Sequence, residues 1–241
     1  MDAPIVSCII PARLNSTRFP RKILAPLKGK PLIQWVYEAA KRVSLFHEIL
    51  IAVDAEETRE VVESFGARAL FTSVACQSGT DRLIELVERK EVRADILVNW
   101  QGDEPFIMPQ MIDELLQTAG CDDCCIWTLC KKMEGEESPH VIKVVLNHSG
   151  EALYFSRSAI PYFRDSNKKI YFKHVGLYAY TLEALRRIAA LPPSALEEAE
   201  QLEQLRFLQG GLKIKVHQTD HEILGIDTPE QLERAKLLLS S

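Results

Sequence analysis

Long apolar runs are missing from this sequence. None approaches the roughly 18 residues that a membrane-spanning helix needs, and the N-terminus carries neither the basic start nor the cleavage site of a secretory leader. These absences predict a cytoplasmic chain with no membrane insertion. Positive charge is also in short supply: the formal net charge is -5, which argues against a nucleic-acid or membrane-surface partner, since such binding leans on a basic face. Cysteine is sparse, and in a reducing compartment Cys8, Cys76, Cys121, Cys124, Cys125 and Cys130 read as free thiols rather than a disulfide frame. Cys121-x-x-Cys124 has no second pair at metal-site spacing, so metal or redox use of the cysteines is disfavoured. No internal repeat or low-complexity tract occurs. The most local absence is the most informative. Between Ala3 and Tyr37 there is no acid, while Arg13, Arg18, Arg21, Lys22, Lys28 and Lys30 all fall there. A positive stretch on an acidic chain suggests a small anionic ligand.

What is present is ordinary for a globular chain: 241 residues, 46% apolar and 26% charged, enough for one good core and a single domain. Ile5 to Ile10 is a β-branched run ended by Pro11 and reads as a strand. A basic loop from Ala12 to Lys22 follows, then a helix over Pro31 to Val43, with Leu32, Val36, Ala39 and Val43 on one stripe. The loop lacks both G-x-G-x-x-G and the P-loop, which disfavours dinucleotide binding and P-loop chemistry. Its arginines, lysine, Ser16 and Thr17 are all donors for phosphate oxygens, although a solvated basic turn would look the same. Glu48 to Asp54 and Ala67 to Phe71 read as strands around a helix from Glu56 to Phe65. Gln77-Ser78-Gly79-Thr80 opens another helix, as a plain cap or as an anion-facing helix start. Asp95 to Trp100 is the next strand, and this alternation implies βαβ units with a largely parallel sheet.

That last strand delivers VNWQGDEP, Val98 to Pro105. Polar and acidic residues leaving the carboxyl end of a central strand mark where open α/β sheets place their chemistry, so Asp103 is the first candidate. After a helix from Pro109 to Ala119 the rhythm turns β-rich, with strand-like runs at Ile126 to Lys131, Val141 to Asn147, Ala152 to Arg157 and Phe172 to Tyr180. In the last of these, a period of two puts His174 and Tyr178 on one face, opposite the core, as a surface pair or a functional one. Ser194 to Glu197 is a capping box that predicts a helix to about Leu208. Glu203 falls on or beside its apolar stripe, either as a placed acid or as a stripe-edge glutamate. Leu212 to Gln218 and Glu222 to Ile226 read as strands. Thr228, Pro229 and Gln231 then cap the last helix and leave Asp227 available.

IPARLNSTRFPRK, QSGTDRL, VNWQGDEP, VKVV with LYFSRSAIPY, HVGLYAY, LEQLR and GIDTPEQLE, in this order along the chain, resemble the 3-deoxy-manno-octulosonate cytidylyltransferase family. The resemblance implies a Rossmann-like nucleotide-diphospho-sugar transferase fold of the α/β class, with a mixed, mostly parallel central sheet and a β-rich second half. It implies one cytidylyltransferase domain, with a nucleotide half over about 1–120, a sugar and dimerisation half over about 121–220 and a return to the core over about 221–241. It further implies a homodimer that joins CTP and 3-deoxy-D-manno-octulosonate (Kdo) to give CMP-Kdo and pyrophosphate, activating Kdo for lipopolysaccharide. The cofactor implied is Mg²⁺, held by Asp103 and Asp227. Arg13 and Lys22 would hold the triphosphate and complete the catalytic set. Ala12, Ser16, Thr17, Gln77, Ser78 and Gly79 would border the nucleotide, and Gln101, Arg157, His174, Tyr178, Glu203 and Gln204 would bind Kdo.

The chain departs from the family at named points. Where many relatives read Leu-Pro-Gly-Lys-Pro-Leu, it has Phe19 to Leu24, with Arg21 at the glycine and Ile23 at the second proline. Ser73 and Cys76 stand where many have arginine and histidine, and Trp100 replaces a smaller apolar residue. The chemistry expected is Mg²⁺-assisted in-line attack of the Kdo anomeric hydroxyl on the α-phosphate. Activation of another acidic sugar such as sialic acid, or a non-catalytic sugar-nucleotide-binding module, are the rival readings.

Overall fold

The computed structural model describes residues 3–16, 18–121, 123–135, 138–164 and 169–239. Thr17, expected at the nucleotide, lies outside the described residues. The chain forms two compact units, residues 1–109 with 222–241, and residues 110–221.

The first unit is built on strand β1 (Val6–Ala12), every residue of which is buried. β1 lies between β6 (Ile96–Asn99) and β4 (Phe46–Val53), and β5 (Arg68–Phe71) borders β4, all in parallel. Two short strands, β2 (Pro26–Leu27) and β3 (Lys30–Pro31), make a hairpin between β1 and helix α1 (Leu32–Ala40). Pro11 does not end β1 as the sequence suggested: pairing continues to Ala12 opposite Val53. The reason lies in which side each residue faces. Ile5 and Ile9 turn their carbonyls toward β6, since Ile96 N and Trp100 N donate to them. Strand alternation turns Pro11 the same way, where pairing with β6 has already stopped at Ile9, so its missing N–H breaks no ladder bond. α1 buries Leu32, Val36 and Ala39 of the expected stripe, with Ile33 and Ala40 beside them, and ends before Val43, which is buried beyond it. Helix α2 (Glu56–Ser64) follows β4, and α3 (Gly79–Glu88) starts at a complete capping box between Ser78 and Asp81.

The second unit opens with α4 (Pro109–Leu115). β7 (Ile126–Glu134) pairs antiparallel with β10 (Ile170–Thr181) and parallel with β11 (Ile214–Gln218), while β8 (Lys143–Leu146) joins β10 to β9 (Ala152–Ser156). The register of β10 slips between Val175 and Tyr178. Helix α5 (Leu182–Ala189) follows β10. The single helix expected from Ser194 to Leu208 is instead two, α6 (Ala195–Glu200) and α7 (Gln204–Gln209). The break is at Gln201, whose φ of 53° is left-handed. Beyond it Leu202, Leu205 and Phe207 are all buried.

The chain then returns to the first unit. Glu222 to Ile226, expected as a strand, pairs with no strand among the described residues; Ile226 N donates to Asp103 O at 2.9 Å. Ile226 is fully buried with Leu27, Leu32, Leu232 and Ala235, so an anchored side chain replaces a ladder. Helix α8 (Pro229–Leu238) begins with the expected capping box of Thr228 and Gln231.

Candidate active site

In the first unit, the C-terminal ends of β1 and β6 open on a cavity of about 260 Å³. Parallel strands make such an edge a natural binding crevice. One wall is basic: Arg13, Arg18 and Lys22 follow β1, and Ser16 adds a hydroxyl. Among the described residues Arg13 has no hydrogen-bond or ion-pair partner, so its guanidinium is available to a ligand. Opposite lie Gln77, Ser78 and Gly79 at the start of α3. A Cβ on Gly79 would come 3.1 Å from Pro11 and 3.2 Å from Asn99, which keeps this helix start close against β1.

The floor is acidic. Lys22 Nζ lies 2.8 Å from Asp227 Oδ1 and also bonds Asp103 Oδ2, while Arg18 reaches Asp227 Oδ1 at 3.0 Å. Each acid is set by a separate device. Asp103 sits in a turn closed by Glu104 N on Gln101 O, by Ile226 N on its own carbonyl, and by Trp100 Nε1 on Glu104 O at 3.0 Å. A Cβ on Gly102 would lie 2.6 Å from Pro11 O, so only glycine brings the turn this close to β1. Asp227 is held by its own N–H on Gln231 Oε1 at 2.6 Å. Burial alone would raise the Asp227 pKa, but the hydrogen bonds and charges of Lys22 and Arg18 outweigh it and hold the carboxyl below its ordinary value. The two carboxylates thus converge on one cation position. As hard oxygen donors facing a phosphate-competent wall they fit Mg²⁺, which needs only one or two carboxylates beside phosphate and water.

The second unit gathers different chemistry. His174 and Tyr178 share a face, with rings 5.3 Å apart, and Tyr178 stacks on Tyr180. That face is not solvent-facing as expected: Phe155 covers His174, Phe207 meets Tyr180, and Tyr178 is 5% exposed. Burial pushes the His174 pKa down to about 3, so the ring is neutral. Its Nε2 is 3.1 Å from Thr128 Oγ1, which also faces the carbonyls of Val175 and Leu177. Carbonyls only accept, so the one Thr128 proton goes to them; Nε2 then donates and Nδ1 is left as an acceptor. Burial, then the Glu203 charge, raise the Tyr178 pKa, so its hydroxyl stays protonated. That hydroxyl is buried against Thr128, whose hydrogen bond works the other way and lowers the Tyr178 pKa without cancelling the rise. Glu203 and Gln204 stand at the start of α7.

Arg157, just beyond β9, is half-buried, and its guanidinium is held by carbonyls. Nε bonds Glu200 O at 2.7 Å, Nη1 Pro139 O at 3.2 Å and Nη2 Gln201 O at 3.4 Å. Among the described residues the guanidinium itself has no carboxylate partner; the Glu200 carboxylate takes only the Arg157 backbone N–H, at 2.8 Å.

Residues 7–214 match the family described as Cytidylyltransferase. A 3-deoxy-manno-octulosonate cytidylyltransferase of Thermodesulfovibrio yellowstonii is 44% identical across 98% of this chain and 99% of its own length, and one of Geotalea uraniireducens is 45% identical across 95% and 96%. A solved CMP:2-keto-3-deoxy-manno-octonic acid synthetase complexed with CTP superposes with a TM-score of 0.91 at 40% identity, over 98% of both chains. The chain belongs to the 3-deoxy-manno-octulosonate cytidylyltransferase family.

For this cytidylyltransferase, the α/β fold expected from the sequence is the observed one. Arg13, Ser16, Lys22, Gln77, Ser78, Gly79, Asp103 and Asp227 line one cavity. Gln101, expected with the sugar, lines it as well, its Nε2 3.2 Å from Asn99 Oδ1. Ala12 is buried at the end of β1, with only its backbone to offer. Two residues were missed. Arg18 belongs to the acid-free stretch, but no spacing signals that it reaches Asp227. Arg82 lines the cavity, 3% exposed, and pairs with Asp54 at 2.9 Å, while Asp54 accepts from Leu14 N and so ties down the loop carrying Arg13. The strand-end position of Asp54 was the available signal. Arg21, where relatives often carry glycine, has a φ of 57°; that left-handed turn suits glycine best and aims the next residue, Lys22, at the two acids. A further cluster of Asp123, Cys124 and Glu151 holds a cation of its own, since Lys213 Nζ lies 2.6 Å from Asp123 and 3.5 Å from Glu151.

Proposed function

We propose that this chain transfers the cytidylyl group of CTP to Kdo, releasing pyrophosphate. The observation that carries the reading is the cavity in the first unit, where a partner-free arginine and further cations face two convergent carboxylates. The Kdo anomeric hydroxyl attacks the α-phosphorus, and the bond to the bridging oxygen of the leaving pyrophosphate breaks. No covalent step on the protein is needed, so positioning and charge do the work. Arg13 binds and orients the triphosphate, and the α3 start supplies backbone N–H groups and the Ser78 hydroxyl. Lys22 neutralises charge that grows on the departing pyrophosphate. Asp103 and Asp227 would hold Mg²⁺, which would supply a Lewis acid to offset phosphate charge and ease loss of the attacking hydroxyl's proton.

Kdo is an acid rich in hydroxyls. Arg157 takes its carboxylate, because a guanidinium held by carbonyls keeps its charge for an incoming anion. Tyr178 donates to a sugar hydroxyl, and neutral His174 accepts through Nδ1. Glu203 and Gln204 complete the set of the second unit. The reading includes a homodimer in the cytoplasm, on the strength of the resemblance. A coupled pyrophosphate assay with CTP, UTP, ATP and GTP, each with Kdo and with sialic acid, tests it. Release only with CTP and Kdo is expected; equal release with sialic acid would move the chain to a different acceptor, and none with any pair would remove the activity.

A further inference from the structure

Arg157 is held at more points than a surface arginine needs. Its backbone N–H donates to Glu200 Oε2 at 2.8 Å, and Glu200 Oε1 accepts from the neighbouring Ser156 Oγ at 2.6 Å. Its backbone carbonyl accepts from Lys143 Nζ at 2.5 Å. Lys143 is fully buried, and its ammonium also donates to Ser138 O at 2.8 Å and Val141 O at 2.7 Å. A buried ammonium is tolerated only when its N–H groups are matched, and here each has a carbonyl. Ser138 to Val141 is the same loop whose Pro139 carbonyl receives Arg157 Nη1. Lys143 therefore grips Arg157 twice, through its carbonyl and through the loop its guanidinium leans on.

Glu200 does the same from the other side. Its carboxylate fixes the Arg157 N–H, and its own carbonyl, at the end of α6, takes Arg157 Nε. The left-handed Gln201 ends that helix and adds a second carbonyl. Carbonyls left over at a helix C-terminus attract cations. The arrangement orients the guanidinium through neutral acceptors, and the Glu200 carboxylate is engaged with the Arg157 backbone and Ser156 instead.

We propose that Lys143 and Glu200 are positioning residues, which hold Arg157 by its own backbone and set its guanidinium to receive the anionic group of the acceptor sugar. The inference rests on the reading of Arg157 as the Kdo carboxylate site, and the test separates the two. Steady-state kinetics of the full chain, with CTP and Kdo varied in turn, are compared for Arg157→Ala, Lys143→Met and Glu200→Gln, with folding checked by thermal melting. Arg157→Ala should raise the KM for Kdo and leave that for CTP within about two-fold. Lys143→Met and Glu200→Gln should follow the same pattern at about ten-fold for Kdo, the effect of weakening one charge-assisted contact. A merely structural clamp would lower the amount of active enzyme or move both KM values together, and either result overturns the proposal. If Arg157→Ala alone shows the split, the sugar reading stands and the positioning role falls; if Arg157→Ala moves both substrates equally, the sugar reading falls and takes the proposal with it. Should Lys143→Met fail to fold, Glu200→Gln decides.

Discussion

Lys22 and Arg157 are both partly withdrawn from water, yet they are held in opposite ways. Lys22 is 10% exposed in its side chain and lies against two carboxylates, one shared with Arg18. Arg157 rests on three neutral carbonyls. A cation matched by acids organises those acids, and the array as a whole is ready for a further cation and a polyanion together. A cation held by dipoles keeps its full charge for one anion. The difference separates metal-and-phosphate chemistry from recognition of a carboxylate. It also predicts where removal of charge hurts the rate and where it hurts binding.

The largest effect should come from the acids. Asp103→Asn or Asp227→Asn should lower kcat by about 10³-fold or more, as expected when a preorganised charge at the reacting centre is lost, measured as pyrophosphate release with Mg²⁺ titrated. A near-normal rate in either variant would remove that residue from the metal site. Lys22→Met should act mainly on kcat. Arg157→Ala should raise the KM for Kdo by about 10- to 100-fold with little change in kcat. If the two exchanged signatures, the contrast between the two cations would be void. Smaller again is Gly102→Ala. The added methyl would meet Pro11 O at 2.6 Å, so the turn must shift and carry Asp103 with it; kcat should fall about ten- to hundred-fold while Arg157-dependent Kdo binding is kept.

How much of this was legible in the sequence differs between the two units for a physical reason. In the first, the acid-free stretch, the alternation of strand and helix, and the strand-end acids are local signals that point to the basic loop and to Asp103, while the choice of Arg13 and Lys22 within that loop came from the resemblance. Asp227 could be read as a residue left over by the Thr228 cap, but its approach to Asp103 depends on Ile226 filling the core, and that contact has no local signature. Trp100 likewise gained its explanation only from the turn it closes, through Glu104 O. In the second unit the period of two correctly paired His174 with Tyr178, while the burial of that face depended on Phe155 and Phe207 from distant segments. The break at Gln201 was invisible, because nothing in a glutamine announces a positive φ. Its consequence, two helix-end carbonyls on Arg157, was invisible with it.

The smallest predicted effect concerns pH, and it divides the two units most cleanly. The Asp227 carboxyl has its pKa lowered in the folded state, so its pairing contributes stability that is fully present above the ordinary carboxylate value, about 3.9, and is lost as pH falls through the folded value. Carbonyls do not titrate in this range, so the grip on the Arg157 guanidinium has no matching dependence. Thermal melting from pH 6 down to pH 2 should therefore show a weaker decline for Asp227→Asn than for the unaltered protein, because the variant has no such pairing to lose. Arg157→Ala should run parallel to the unaltered protein at every pH. An Asp227→Asn curve that also ran parallel would mean that Lys22 and Arg18 hold the carboxylate no more tightly than water does, and the acid-matched cation of the first unit would then differ from Arg157 in geometry alone.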